Sequence, residues 1–480
     1  MTKVLVVTAD VLRSQMAGPA MRAWHMAAGL AAENDVQLLT TSPYCEVRAE
    51  GFSVAAAGPE QLAAAEAWSD VMVLQGYVTL HHAVLARSEK LIVFDVYDPL
   101  HLETLALTKG ASGPAREWHV RTSLETLNFQ LRRADFLMCA SERQRDLYIG
   151  QLCALGRVNW LTYDGDPTLR DLIDVVPFGV PDDNPEHRHA VLRGVLPGTA
   201  PEDDILVWAG GVYDWFDPLT LVRAVARLAS RRPSVRLYFM GMQHPNPDVP
   251  PMQMAIDVRA LAHELGVAGR NVFFNDGWVE YAQRQDYLLE ATLGVTMHFD
   301  SAETRFSFRT RALDYIWAAL PMVTTEGDSF AQLVRDEGLG LCVPAQDVEA
   351  LEAALERLLS DDELMASCRQ AAAAARERFR WSAVLEPLLR FCKDPRRAPD
   401  VVLPIDLARV PAGPDDKAGL GATGEGTETP AGPPGEPAPR ARSLLEVARH
   451  HYREGGLAQV AKLAASKAGR ITRGDKGRAG

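Results

Sequence analysis

Short runs of consecutive apolar residues recur along the chain, and helical spacing follows most of them. VLVVTAD (4–10) opens the pattern, followed by a Gly-Pro turn and MRAWHMAAGLAAE, in which apolar positions return every three or four residues. The strand-like runs VQLLTT (36–41), VMVLQG (71–76), LIVFDVY (91–97), FLMCAS (136–141) and IDVVPFGV (173–180) come next. A strand that is apolar at successive positions is buried on both faces, which predicts parallel sheets with helices on either side. The pattern restarts beyond Pro197–Asp204 with ILVWAGG (205–211) and the helical LTLVRAVARLASRR. VRLYFMG (235–241), NVFFNDG (271–277), LGVTMHF (293–299), PMVTT (321–325) and LGLCV (339–343) complete it. The expected class is α/β, with two Rossmann-like, doubly wound domains over residues 1–195 and 196–398. A helix containing WSAVLEPLLRFC (381–392) is expected to close the second.

Composition changes the picture only past residue 398. Residues 399–439 hold nine prolines and seven glycines, too little apolar surface for a core, and read as a disordered linker. Residues 440–480 carry ten Lys or Arg against three acids, a basic tail on a chain whose net charge is -13. SLLEVARHHY and GLAQVAKLAASKAG suit short amphipathic helices there, either docking on an anionic membrane or simply aiding solubility. The acidic body disfavours nucleic acid as a partner. No apolar run is long enough to span a bilayer, and the first strand is no signal peptide. Six scattered cysteines without CxxC or clustered His point to reduced thiols, a cytoplasmic setting and no metal site.

In open parallel sheets ligands bind beyond the carboxyl ends of the strands, so the residues following each strand are the candidates. Gly18 and Pro19 open a helix whose amide end suits an anion, or form a plain turn. Beyond LIVFDVY stand Asp98, His101 and Glu103, able to orient hydroxyls or move protons, with helix capping as the alternative for Asp98. Gly210 and Gly211 end WAGG and let a phosphate lie against the backbone. Neither GxGxxG nor GxxxxGK[ST] occurs, which counts against a nicotinamide-dependent oxidoreductase and a P-loop NTPase.

RFSFRTRALDYIWAALP (305–321) concentrates Arg305, Arg309 and Arg311 at the start of a helix expected from about Phe308 to Ala319. Cations do not stabilise the positive end of a helix dipole, so either an anion such as a diphosphate joins them or they pair with Glu303, Asp300 or Asp328. Leu313, Ile316, Trp317 and Leu320 share the apolar side, away from Asp314. Trp215 suits either a ligand site or the core.

These elements resemble a known family. GPAMRAWHMAAGLA, FDVYDPLHLE, CASERQRDLYIG, IDVVPFGVP, WAGGVYDWFDPLTLVRAV and FRTRALDYIWAALP, in this order across residues 3–395, are similar to family-4-like bacterial glycosyltransferases of the GT-B fold. Aligned on Pro321, Asp314 takes the place of the glutamate in the family's signature helix and Ala319 that of its glycine. The resemblance implies two domains facing across a cleft and retaining transfer from a nucleotide diphosphate sugar, with no cofactor and no essential metal. It places the donor on the second domain, with Asp314 on the ribose and Gly18, Gly210, Gly211, Arg305, Arg309 and Arg311 at the diphosphate. Glu303 stands for the carboxylate that holds sugar hydroxyls, with Asp98 and His101 near the reacting centre.

Two departures stand out. Ten residues separate Glu303 from Asp314, where the family has seven. YDWFDPLTL holds no Lys or Arg, which the family commonly supplies, and this throws the phosphate charge onto the three arginines. The acceptor is expected to be a glycan, a lipid-linked molecule or a small metabolite, in cell-envelope or exopolysaccharide assembly, with the enzyme peripheral on the inner face of the plasma membrane. A nucleotide-sugar epimerase, a glycogen-phosphorylase-like enzyme and a non-catalytic scaffold of the same fold are the rival readings.

Overall fold

The computed structural model describes residues 1–249 and 251–402, so the proposed tail at 440–480 and nearly all of the 399–439 linker lie outside the described residues. The first sheet contains β1 (Lys3–Thr8), β2 (Asp35–Thr40), β3 (Ser53–Ala56), β4 (Val71–Gln75), β5 (Leu91–Asp95), β6 (Phe136–Cys139) and β7 (Ile173–Val175). Their order is β3-β2-β1-β4-β5-β6-β7, with every pairing parallel. The second sheet contains β8 (Asp204–Trp208), β9 (Val235–Phe239), β10 (Val272–Phe274), β11 (Leu293–Thr296), β12 (Met322–Thr325) and β13 (Gly340–Val343). It runs β10-β9-β8-β11-β12-β13, again parallel. Strand order reverses between β1 and β4 and between β8 and β11, and crevices for ligands form at such switch points.

Burial on both faces explains the continuous apolar runs. All five residues of β4 are buried, as are all four of β6, β11 and β12. Strand β3, SVAA, was not expected from the sequence. It pairs only with β2 at the sheet edge, mostly exposed, and carries little of the apolar signal of an inner strand. In the second sheet Gly294 of β11 lets Tyr315 lie against the strand, since an added Cβ would come within 2.4 Å of the ring. The Tyr315 hydroxyl lies 2.9 Å from Val207 O and 2.8 Å from Val295 O and accepts from Ala209 N at 3.1 Å, fastening the Thr310–Trp317 helix to β8 and β11.

The segment expected to close the second domain returns instead to the first sheet. At the crossing, Val180 N donates to Phe379 O at 2.7 Å and Trp381 N to Val180 O at 2.9 Å. Leu385 then packs on Gly29, Phe391 stacks on Phe136 at 5.1 Å, and Thr2 Oγ1 donates to Cys392 O at 3.1 Å. Beyond it, Asp400 forms an ion pair with Arg157 at 2.7 Å. Amphipathic spacing in the Glu386–Lys393 helix marks a buried face without saying which sheet covers it.

Candidate functional site

The carboxyl end of β1 leads to Asp10, whose carboxylate accepts from Val11 N at 2.8 Å. The Gly18–Leu30 helix has no side-chain cap at Ala17, and Asp10 lies at its opening turn, within hydrogen-bond reach of the Ala20 amide. Burial raises its pKa, and His244 of the second half opposes that shift. Sequence reasoning missed Asp10, although an acid between a strand and an uncapped helix was a legible signal. The amide end proposed for an anion is thus partly occupied by the protein's own carboxylate. A Cβ at Gly18 would meet only Tyr97 Oη at 3.8 Å and Phe178 at 4.0 Å, so packing within the protein does not demand glycine there.

From the same helix Arg22 reaches the end of β5 and grips Asp95 through two bonds of 2.7 Å. Its other contacts are Val176 O at 2.8 Å and Pro177 O at 2.9 Å, and neither side chain is exposed. This guanidinium is fully committed and holds the β5 end in place.

Asp98 follows directly. The next helix takes Pro99, which has no side-chain acceptor, as its cap residue. Burial pushes the Asp98 pKa up to about 7, with Asp95 and Glu303 adding to the rise and Tyr97 and Arg22 opposing it. Glu103 is raised well above the ordinary carboxylate range by burial, then by Asp98 and Glu303, with Arg309 opposing. The Leu100–Leu107 helix that carries Glu103 packs on the Ala302–Phe306 helix that carries Glu303, so carboxylates of the two halves converge. Burial lowers the pKa of His101, and its Nδ1 has no hydrogen-bond partner.

On the second half, β8 ends in Gly210, whose φ of +75° favours glycine. A Cβ on Gly211 would strike the Tyr213 ring at 2.9 Å. Tyr213 stacks on Trp215, ring centroids 5.0 Å apart and nearly parallel. Two of the three arginines expected at the diphosphate, Arg309 and Arg311, have protein partners. Arg311 donates to Ala209 O, to Gly211 O at 2.6 Å and to Thr296 Oγ1 at 3.2 Å, and lies over Trp208 and Phe216. Burial lowers its pKa to about 10. Arg309 donates to Glu303 Oε2 at 2.8 Å, with both side chains at most 5% exposed. Its guanidinium lies 5.0 Å from the Phe216 ring, and its Nε has no partner. Arg305 is exposed and has no carboxylate partner among the described residues.

The helix expected from about Phe308 to Ala319 runs from Thr310 to Trp317, with Arg309 as the residue before it, and a short helix, Ala302–Phe306, precedes it in what was expected to be loop. Leu313, Ile316, Trp317 and Leu320 are buried as the spacing required. Ala319 has a φ of +50°, in the left-handed region. Asp314 pairs with Arg284 at 3.1 Å and is partly exposed. Arg284, which sequence reasoning missed, lies over both Tyr281 (3.6 Å) and Trp317 (4.4 Å). His25 of the first half approaches the same cluster, 3.0 Å from Tyr281 Oη and stacked on Trp381 at 4.7 Å.

Two parallel-sheet domains in one chain, with glycines, carboxylates and arginines at facing strand ends, match known proteins. Sucrose-phosphate synthase from Thermosynechococcus elongatus superposes with a TM-score of 0.59 at 18% identity, covering 82% of this chain and 98% of that one. The fold is that of the GT-B glycosyltransferases. Anabaena HepE, in complex with UDP-glucose, matches the GT-B chain with a TM-score of 0.57 at 13% identity, over 82% of this chain and all of that one. Residues 203–361 match the family model described as glycosyl transferases group 1. A D-inositol 3-phosphate glycosyltransferase from Jonesia denitrificans is 27% identical over 232 residues, 48% of this chain and 51% of the relative. The GT-B chain therefore spans about half the length of the curated relatives it matches at that identity.

Among the described residues of the GT-B chain, no cluster of three or more His, Cys, Asp or Glu is placed to hold a metal ion. No described helix is long and apolar enough to cross a membrane. All six cysteines are free of disulfides.

Proposed function

We propose that the protein is a retaining, metal-independent glycosyltransferase that takes a sugar from a nucleotide diphosphate donor. The observation that carries this reading is the meeting of Asp98 and Glu103 from the first half with Glu303 from the second. Carboxylates accept from sugar hydroxyls, and backbone amides donate to phosphate oxygens.

In this reading Asp314 accepts from the ribose hydroxyls, and Gly18, Gly210, Gly211, Arg305 and Arg309 face the diphosphate. Arg311 acts as a positioning residue, because its contacts fix the Ala209 and Gly211 carbonyls that set the loop. Glu303 holds the transferred sugar, and Arg309 steadies Glu303. Asp98, titrating near neutrality, receives or returns the acceptor proton, with His101 beside it. As the anomeric bond breaks, negative charge grows on the leaving diphosphate, and donors aimed at that charge favour the transition state over the ground state. Cell-envelope or exopolysaccharide assembly is the setting proposed. An anionic membrane, met through residues 440–480, would present a lipid-linked acceptor.

Calorimetric titration with a panel of nucleoside diphosphates tests the reading. One nucleotide is expected to bind, and Asp314→Asn to weaken it about tenfold, the loss of one charge-assisted contact. Absence of binding to every nucleotide would sink the transferase reading. Product formed from donor without acceptor would favour the epimerase. Membrane co-sedimentation that is unchanged without residues 440–480 would refute the anchoring.

A further inference from the structure

CASERQRDLYIG (139–150) carries none of the roles assigned above, yet it opens the Glu142–Ala154 helix beside the end of β5. Gln144 stands in the first turn of that helix and is fully buried. Its Oε1 accepts from Ala140 N at 2.7 Å, and its Nε2 donates to Tyr97 O and to Phe306 O, each at 2.7 Å. Those two acceptors belong to different halves of the chain. An amide turned end for end would set its oxygen against both carbonyls, so the network fixes its orientation.

Both carbonyls lie where regular structure stops supplying donors. Tyr97 is beyond the end of β5, and Phe306 ends the Ala302–Phe306 helix, whose last carbonyls have no partner within the helix. Asp98 is the next residue after Tyr97. Ser307, the next after Phe306, donates from its hydroxyl to Glu303 Oε1. One side chain therefore ties the backbone at Asp98 to the backbone that supports Glu303. One turn further along the same helix, Tyr148 Oη donates to Val96 O at 2.8 Å and holds the β5 end from the first half alone. Arg143 also crosses, to Gly327 O at 2.8 Å and Gln332 Oε1 at 2.9 Å, but on the exposed surface.

We propose that Gln144 is a positioning residue that sets Asp98 against Glu303 by strapping the two halves together. On the transferase reading, on which this role rests, the acceptor's proton moves at Asp98 while Glu303 holds the transferred sugar. Their separation then decides whether acceptor and sugar meet in a reactive arrangement, and a displacement of about 1 Å can cost about a hundredfold in rate. Gln144 touches neither substrate, because the protein occupies its whole amide. Without it two buried carbonyls lose their donor, and water can satisfy them only by entering between the halves.

Gln144→Met keeps the length of the side chain and removes both donors. Tyr148→Phe is the control, loosening the same strand end without touching the second half. Denaturation midpoints of the full-length proteins are read first, from about pH 4 to 8. In the parent, stability declines as pH rises through the raised pKa of Asp98, which burial, Asp95 and Glu303 hold up against Tyr97 and Arg22. Gln144→Met should lose at least about half of that decline, whereas Tyr148→Phe should lower the midpoint equally at every pH. Release of nucleoside diphosphate from a panel of UDP-, GDP- and dTDP-glucose should slow about tenfold or more in Gln144→Met, with nucleoside diphosphate affinity kept within about twofold. A uniform fall in midpoint with the parent's slope intact would overturn the strap. So would a loss of nucleotide affinity that matches the slowing, or a slowing no greater than in Tyr148→Phe. If none of the panel binds, the functional reading fails, and the pH series still decides the strap.

Discussion

The pairing of Arg309 with Glu303 makes a prediction that separates a structural role from a purely ligand-directed one. The two groups meet at 2.8 Å with side chains 5% and 3% exposed, so neither charge is well solvated. Arg309→Met leaves a buried carboxylate supported only by the Ser307 and Thr304 hydroxyls, at an expected cost of about 3–5 kcal/mol. Glu303→Gln leaves a buried guanidinium beside Phe216, with Thr304 as its remaining hydrogen-bond partner, at about 3 kcal/mol. The double variant buries no unpaired charge and should recover much of the loss, giving a coupling of about 2 kcal/mol or more. Urea unfolding of the four proteins, without nucleotide and at one pH, measures it. A coupling below about 0.5 kcal/mol would show that the pair does not hold the charges together, and would return Arg309 to a role filled only by an anionic ligand.

Three further outcomes follow from the same geometry. Burial and the nearby Arg284 lower the His25 pKa to about 3, so the folded protein resists its protonation and loses stability as pH falls from about 6.5 towards 3. His25→Phe keeps the Trp381 stack and should flatten that slope, read from denaturation midpoints at several pH values. Asp98 behaves oppositely. With its folded pKa raised, stability declines as pH rises from about 4 to 7, and Asp98→Asn should show less decline than the parent in the same measurement. Ala319→Gly relieves a left-handed backbone at some entropic cost, so thermal unfolding should shift upward by the equivalent of roughly 0.5 kcal/mol. A lower midpoint would show that the Ala319 side chain contributes packing.

Much of the fold was legible because parallel strands covered on both faces leave a continuous apolar trace, and residues such as Val71–Leu74 can be little else. The edge strand at Ser53–Ala56 leaves no such trace. The cation cluster at 305–311 was also legible, together with the alternatives of an external anion or an internal carboxylate. What decides the case for Arg309 is a distance that sequence spacing does not provide. Arg311 is a sharper instance, since its acceptors at Ala209 and Gly211 lie about a hundred residues away. Asp98 was visible at a strand end, but its neighbour Glu303 comes from the other domain. Asp10 and Arg284 went unnoticed because one looks like a turn residue and the other like an ordinary helix charge.

The return of residues 381–400 to the first sheet has a consequence for the order of synthesis. Gly29, Phe136 and Arg157 leave the ribosome early, yet the groups that cover them emerge only near residue 400. At about 5–20 residues per second, the first domain waits on the order of ten seconds or more with that apolar face bare. Residues 1–195 made alone would never acquire the cover. A split protein should recover a stable first half only when a peptide carrying 381–400 is supplied, which makes that segment a late-arriving part of the opening domain.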